Sequence, residues 1–185
     1  MAFDVCPWWL GYLLVNPLRR LFENPDKLLA PYLSPGMTVL DVGCAMGFFT
    51  VPAVRLVGEE GRVIAVDLQL KMIDALKRRL NRRGLQNRVE TQVCGKTDLG
   101  LGDLENRVDL VLLIHVAHEV PDRDRLFTQL YRALKPGGKV LFKEPKGHVS
   151  EDAFFATLAV AERVGFVIDP MVGGGRGHKR VLSKV

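Results

Sequence analysis

The sequence predicts an α/β fold, in which a mostly parallel sheet is covered by helices on both faces. Short apolar runs at 39–42, 61–67 and 108–114 alternate with stretches of helical periodicity, the order that yields parallel strands joined by crossover helices. The run at 108–114, Val-Asp-Leu-Val-Leu-Leu-Ile, has almost no polar side, as a strand buried on both faces requires. The C-terminal end differs. Two short extended segments, 166–168 and 179–182, flank a loop containing Gly173-Gly-Gly175 and read as an antiparallel hairpin.

Each element follows from local signals. The first strand runs into the small-residue turn Asp41-Val-Gly43-Cys-Ala45-Met-Gly47, and the helix behind it is expected over 47–56, ahead of Gly58. The second strand, 61–67, ends on Asp67. Leu70, Ile73, Leu76 and Leu80 then recur at helical spacing as one buried face, and Gly84 supplies the stop. Residues 88–94 alternate as a third strand, and 108–114 form the fourth. Asp122 or Asp124 starts a helix running to Leu134, stopped by Lys135-Pro-Gly-Gly138 before a fifth strand at 139–143. Ser150 is a good N-cap, with Ala153 three residues on, for a helix reaching Val164.

The turn after the first strand carries chemistry. Small residues let a ligand lie against bare backbone, and the helix behind them presents N–H groups that lack intrahelical partners. A carboxylate at the tip of the next strand, Asp67, can hold both hydroxyls of a ribose; its competing use is to cap the helix that begins near Gln69. A dinucleotide site would need the spacing G-x-G-x-x-G, but Phe48 and Phe49 stand where the third small residue belongs. Asp41 would also repel a pyrophosphate, whereas an amino acid's ammonium group suits it.

Asp41-Val-Gly43-Cys-Ala45-Met-Gly47 closely resembles motif I of class I S-adenosylmethionine-dependent methyltransferases, commonly Asp/Glu-x-Gly-x-Gly-x-Gly. Leu134-Lys-Pro-Gly-Gly-Lys139 is similar to a second recurring element of these enzymes. The resemblance spans about residues 37–185 and implies a Rossmann-like three-layer sandwich. Its seven-stranded, mostly parallel sheet ends in an antiparallel hairpin, with the last strand inserted between its neighbours. It further implies one methyltransferase domain over 1–185, with an N-terminal helical cap or lid at 1–35 and a cofactor-binding core at 36–185. The implied cofactor is S-adenosyl-L-methionine, with S-adenosyl-L-homocysteine as product. By the same resemblance Asp41 holds the methionine ammonium through water, and Gly43, Cys44, Ala45 and Gly47 line the cofactor through backbone. Asp67 binds the ribose and Leu68 packs on adenine. Ala45 stands where the motif has glycine, a mild departure.

Many relatives place an acid after the third strand to accept the adenine amino group. Here Cys94-Gly95-Lys96-Thr97-Asp98-Leu99 puts Gly95 or Lys96 at that position, so Asp98, or backbone atoms with Thr97, must read the base. Lys96 is left without an explanation. His115, at the end of the fourth strand, is expected to border the methionine chain.

The segment Ile114-His115-Val-Ala-His118-Glu119-Val-Pro-Asp122 resembles the one after the fourth strand in the small-molecule methyltransferase group that includes the ubiquinone and menaquinone enzymes. If it turns helically, His115, His118 and Glu119 share a face, and His118 becomes a base oriented by a carboxylate. The alternative is that His118 and Glu119 only cap and solvate the loop. Their order does not match the zinc-protease H-E-x-x-H, and no metal is expected. Glu144 and His148 leave the fifth strand at the same edge and fall within reach of an acceptor. Trp8, Trp9 and Tyr12 in the N-terminal arm suit an apolar acceptor pocket, ordinary packing on the sheet, or a homodimer contact.

Composition narrows the remaining classes. A chain of 185 residues is most simply one domain with a substantial core. The net charge of +5 gathers partly in Lys77-Arg78-Arg79 and Arg82-Arg83, which read as a solvated helix end, since no aromatic residues interleave them as a nucleic-acid platform needs. Neither an Asn/Asp-Pro-Pro-Tyr/Phe stretch nor a Pro-Cys nucleophile follows the fourth strand, which disfavours methylation of nucleic acid. Cys6, Cys44 and Cys94 lack a pairing pattern, as in a reducing compartment, and the apolar run at 8–15 is too short to span a bilayer and lacks a signal-peptide pattern. The reading is a cytoplasmic methyltransferase with a small-molecule acceptor. A subunit or sensor that binds the cofactor without turnover is the alternative, and a nucleic-acid methyltransferase a third.

Overall fold

The computed structural model describes residues 7–11, 15–16, 18–170 and 178–185. Among them, seven strands form one sheet in the order β3-β2-β1-β4-β5-β7-β6. The strands are β1 (Thr38–Val42), β2 (Arg62–Asp67), β3 (Val89–Val93), β4 (Val108–Ile114), β5 (Leu134–Glu144), β6 (Phe166–Ile168) and β7 (His178–Lys184). The helices are α1 (Arg19–Phe22), α2 (Pro25–Leu29), α3 (Thr50–Leu56), α4 (Leu70–Asn81), α5 (Arg123–Ala133) and α6 (Glu151–Val164). This is the Rossmann-like α/β fold expected, mostly parallel with an antiparallel C-terminal pair. The Gly173-Gly-Gly175 loop and Tyr12 lie outside the described residues.

The chain divides into two compact units, one over Val5–Cys94 and the other built on Gly95–Val185. In the first, β1, β2 and β3 are parallel, with Thr38 opposite Arg62 and Val42 opposite Val66. Their apolar side chains are buried almost throughout, as the run of β-branched residues demands. Pro25 begins α2 behind Asn24, whose side chain accepts from the Lys27 N–H at 3.1 Å.

Two details of this unit differ from the sequence reading. The helix after the turn starts at Thr50, not Gly47, because left-handed residues recur at Gly43, Ala45 and Gly47 and interrupt the helical backbone that far. Leu70 is 59% exposed, while Met72, Ile73, Ala75, Leu76 and Leu80 are buried. At 100° per residue those five occupy an arc of about 160°, and Leu70 falls about 60° outside it.

In the second unit β4 and β5 are parallel, β5 and β7 antiparallel, and β7 pairs with β6. Leu134 opposes Val108 and Lys139 already opposes Leu110, so Lys135-Pro-Gly-Gly138 loops out within β5 instead of wholly preceding it. Gly137, at φ 78°, makes that loop, and Lys135 Nζ pairs with Asp109 Oδ1 at 2.6 Å beside it. Asp122 caps α5, accepting from the Arg125 N–H at 2.9 Å, and Ser150 caps α6, accepting from Ala153 at 3.2 Å. The core of this unit is aromatic: Phe142 stacks on Phe154 at 5.1 Å and meets Phe127 edge-on at 6.2 Å.

Candidate functional site

The turn after β1 is made almost entirely of main chain. Gly43, Ala45 and Gly47 occupy the left-handed region at φ 66°, 47° and 81°. This alternation turns successive N–H groups toward acceptors on β2: those of Gly43 and Cys44 both donate to the Val66 carbonyl, at 2.9 and 3.0 Å. The next, from Ala45, donates to Asp67 Oδ2 at 2.8 Å, while Asp67 Oδ1 accepts from Gln69 at 2.9 Å. Asp67 thus ties the turn to the start of α4. Burial raises its pKa, and the Gln69 and Ala45 donations oppose the rise. Each oxygen keeps acceptor capacity beyond these bonds. Gly47 is required twice, by its φ and because a Cβ there would lie 2.5 Å from Leu76 Cδ1.

Asp41 lies beneath this turn, only 3% exposed, with Oδ2 accepting from the Thr50 hydroxyl at 2.6 Å. Burial raises its pKa to about 7; the Thr50 bond lowers it and the charge of Asp67 raises it further. Cys44 is buried, its thiol pushed well up by desolvation and by Asp41 and Asp67, which removes it as a nucleophile. Leu68 follows Asp67 and is half-buried.

Two supports of the turn escaped the sequence reading. Arg79 is not simply solvated: its Nη1 donates to the Met46 carbonyl at 3.0 Å. Burial, then the charges of Arg83, Arg20, Arg55 and Arg82, lower its pKa to about 10. A helical wheel carried the signal, since Arg79 projects between Met72 and Ala75 on the buried arc. The second support is the N-terminal arm. Met46 packs with Met72 and Ala75, and a Cβ on Gly11 would come within 2.8 Å of Met46 Cε and 2.7 Å of Met72 Sδ. Trp8 and Trp9 remain exposed, with Lys71 Nζ 4.4 Å from the Trp8 ring.

In the second unit, Lys96 and Thr97 are exposed in a loop closed by the Gly95 N–H on the Asp98 carbonyl at 2.7 Å. The Thr97 carbonyl accepts from Gln129 at 3.0 Å, and the Asp98 carboxylate accepts from the Gly100 N–H at 2.8 Å. His115 follows β4 at φ 61°, its N–H donating to the Lys143 carbonyl at 2.7 Å. A single 3-10 turn, Ala117–Glu119, follows.

This turn brings His118 to Glu144, the last residue of β5. Nδ1 lies 2.6 Å from Oε2, and the His118 backbone N–H donates to Oε1 at 3.2 Å. The carboxylate that orients His118 is therefore Glu144 and not Glu119, whose Oε1 is 3.9 Å from Nε2. The left-handed His115 breaks the continuous helix that a shared face of His115, His118 and Glu119 required. The Glu144 bond raises the His118 pKa, desolvation opposes it, the charges of Glu144 and Glu119 add to it, and Arg123 subtracts. Among the described residues, no three His, Cys, Asp or Glu side chains are grouped to hold a metal ion, and no helix is long and apolar enough to cross a membrane.

The family model described as a methyltransferase domain matches residues 33–172. The chain belongs to this family, the class I S-adenosylmethionine-dependent methyltransferases. This chain is 33% identical over 121 residues to an arsenite methyltransferase of Halobacterium salinarum, covering 65% of this chain and 30% of that one. It is 32% identical over 138 residues to a ubiquinone/menaquinone biosynthesis C-methyltransferase of Shewanella frigidimarina, covering 72% of this chain and 54% of the relative. The chain thus spans less than two thirds of either relative. The crystal structure of a SAM dependent methyltransferase from Aquifex aeolicus superposes with a TM-score of 0.83 at 24% identity, over 98% of this chain and all of that one, which shows the fold. The turn fits the family's cofactor on its own geometry: a small-residue backbone with a carboxylate fixed beside it suits a ribose diol.

Proposed function

We propose that this protein transfers the methyl group of S-adenosylmethionine to a small-molecule acceptor. The observation that carries the reading is the Asp67 carboxylate, held at the tip of β2 by the N–H groups of Ala45 and Gln69. In this reading Asp67 receives the ribose hydroxyls, Leu68 borders adenine, and Gly43, Cys44, Ala45 and Gly47 offer backbone to the methionine end. Asp41 completes the turn electrostatically and favours the ammonium group. Lys96, Thr97 and His115 remain cofactor-binding candidates by family resemblance alone, each open to single substitution.

When bound, S-adenosylmethionine supplies a methyl carbon whose bond to sulfur breaks as the acceptor's lone pair takes it, the electron pair staying on the neutral sulfur of S-adenosylhomocysteine. The protein's share is to align the acceptor, exclude water and, where the acceptor carries a proton, remove it. His118 is the proposed base, and Glu119 adds negative charge beside it. The relatives' names, which include metalloid and quinone substrates, support a small acceptor without choosing one. The cysteines Cys6, Cys44 and Cys94, too few and too scattered for a disulfide framework, favour a reducing compartment, and we place the activity in the cytoplasm.

Calorimetric titration with S-adenosylmethionine and S-adenosylhomocysteine tests the reading. Wild type is expected to bind both, and Asp67→Ala to bind neither within a hundredfold of the wild-type Kd. No binding to wild type would overturn the proposal. Binding without turnover on any acceptor panel would favour a sensor or subunit.

A further inference from the structure

We propose that one face of the first unit, built from α1, Trp8, Trp9 and the arginine-rich end of α4, docks on a bilayer surface that carries anionic phospholipid. Leu18, Leu21 and Phe22 enter the boundary of the acyl chains, and the arginines meet the headgroup phosphates. This binding function goes beyond methyl transfer and does not depend on it.

The helical turn α1 is inside out. Leu18, Leu21 and Phe22 stand at i, i+3 and i+4 and so share one face. That face is turned to solvent, the three residues being 64%, 78% and 92% exposed. Charged side chains take the inner positions instead: those of Arg19 and Glu23 are only 22% and 15% exposed and pair at 2.7 Å. The Arg19 guanidinium also lies 4.2 Å from the centre of the Phe48 ring. A turn folded for water alone would present the reverse. Arg19 fastens α1 to the unit and leaves the apolar ridge outward.

The ridge has a cationic border. Arg20, beside it on α1, pairs with Asp26, and its charge still acts on Arg79. Arg55, Arg82 and Arg83 act on Arg79 as well, so cations from α1, α3 and the end of α4 gather in one place. Arg55, Arg82 and Arg83 are themselves exposed. At the start of α4, Leu70 and Trp9 are exposed, and Lys71 lies against the Trp8 ring.

This combination selects the occupant. A second copy joined by twofold symmetry would set the arginines of both copies face to face. A nucleic acid would use the arginines but find no stacking surface in Leu18 and Leu21. An anionic bilayer uses both features. Its acyl boundary takes the leucines and the phenylalanine, its phosphates take the arginines, and the level between them suits tryptophan.

Both tryptophans of the chain, Trp8 and Trp9, report on this face. The test titrates the full chain with vesicles of phosphatidylcholine, alone or mixed with phosphatidylserine, and follows tryptophan emission and co-sedimentation. Binding with a blue shift is expected on the mixed vesicles only, weakening as salt rises. Leu21→Ser combined with Phe22→Ser should keep wild-type stability, because both side chains are exposed, and lose about tenfold in vesicle affinity. Arg82→Gln combined with Arg83→Gln should lose about twentyfold. No binding of wild type to the mixed vesicles overturns the proposal. So does binding that the arginine pair governs and the apolar pair leaves unchanged, which would mark a surface for any polyanion, nucleic acid included. Self-association that the apolar variant abolishes, without vesicle binding, overturns it in favour of a second copy.

Discussion

The turns after β1 and β4 each hold a non-glycine residue in the left-handed region, Ala45 at φ 47° and His115 at φ 61°, yet they are built from opposite materials. The first is a backbone device: three N–H groups on β2 acceptors, with the side chains small because bulk there is excluded. The second is a side-chain device, in which a loop histidine is held by a strand carboxylate. A backbone device is intolerant of added atoms, whereas a side-chain device should tolerate substitution structurally and fail chemically. The comparison can be broken on either side.

The largest effect is expected at Gly47. Gly47→Val adds a Cβ 2.5 Å from Leu76 Cδ1 and a β-branched side chain at φ 81°, which should cost about 3 kcal/mol in chemical denaturation and abolish cofactor binding. A loss below about 1 kcal/mol would mean that the turn is softer than its hydrogen bonds imply.

A smaller, pH-dependent effect is expected at Asp41. Its ordinary pKa of 3.8 rises to about 7 in the folded state, so the folded form retains the proton better than the unfolded form. The stability this contributes is complete below about pH 4 and is lost as pH rises through 7. Asp41→Asn can still accept from Thr50 and should flatten the stability curve across that window, by at most about 1.4 kcal/mol per pH unit. Asp67, also raised, keeps part of the slope. Denaturation midpoints at pH 4, 5.5 and 7 read the difference. Parallel curves for the two proteins would contradict a protonated Asp41.

The smallest effect is at Ala45. Ala45→Gly removes the left-handed penalty of about 1 kcal/mol but adds unfolded-state freedom, for an expected net gain of about 0.5 kcal/mol with the Ala45 N–H bond to Asp67 retained. His115→Gly should show a similar balance. A loss above 1 kcal/mol at only one of them would show which side chain supports its turn.

The two regions also differ in how far they could be read in advance. Gly43, Ala45 and Gly47 were legible because a turn that admits only small residues writes that restriction into adjacent positions, and Asp41 and Asp67 because each is a carboxylate in or at the end of an apolar strand run. Arg79 was legible in principle, from the wheel of α4, but its charge pointed toward solvent. Glu144 was visible only as a residue at the correct sheet edge, and Glu119, next in sequence to His118, was the nearer candidate.

The sequence by itself determined the order of strands and helices, the cap at Ser150 and the small-residue turn after β1, and narrowed the start of α5 to Asp122 or Asp124, because each depends on contacts within a few residues or on a steric rule about glycine. The tertiary structure decided that Arg79 braces Met46, that Leu70 faces outward, and that His118 pairs with Glu144. Those outcomes depend on angles set by packing between elements: the buried arc of α4 in one case, and in the other the left-handed residue after β4 that turns His118 toward β5.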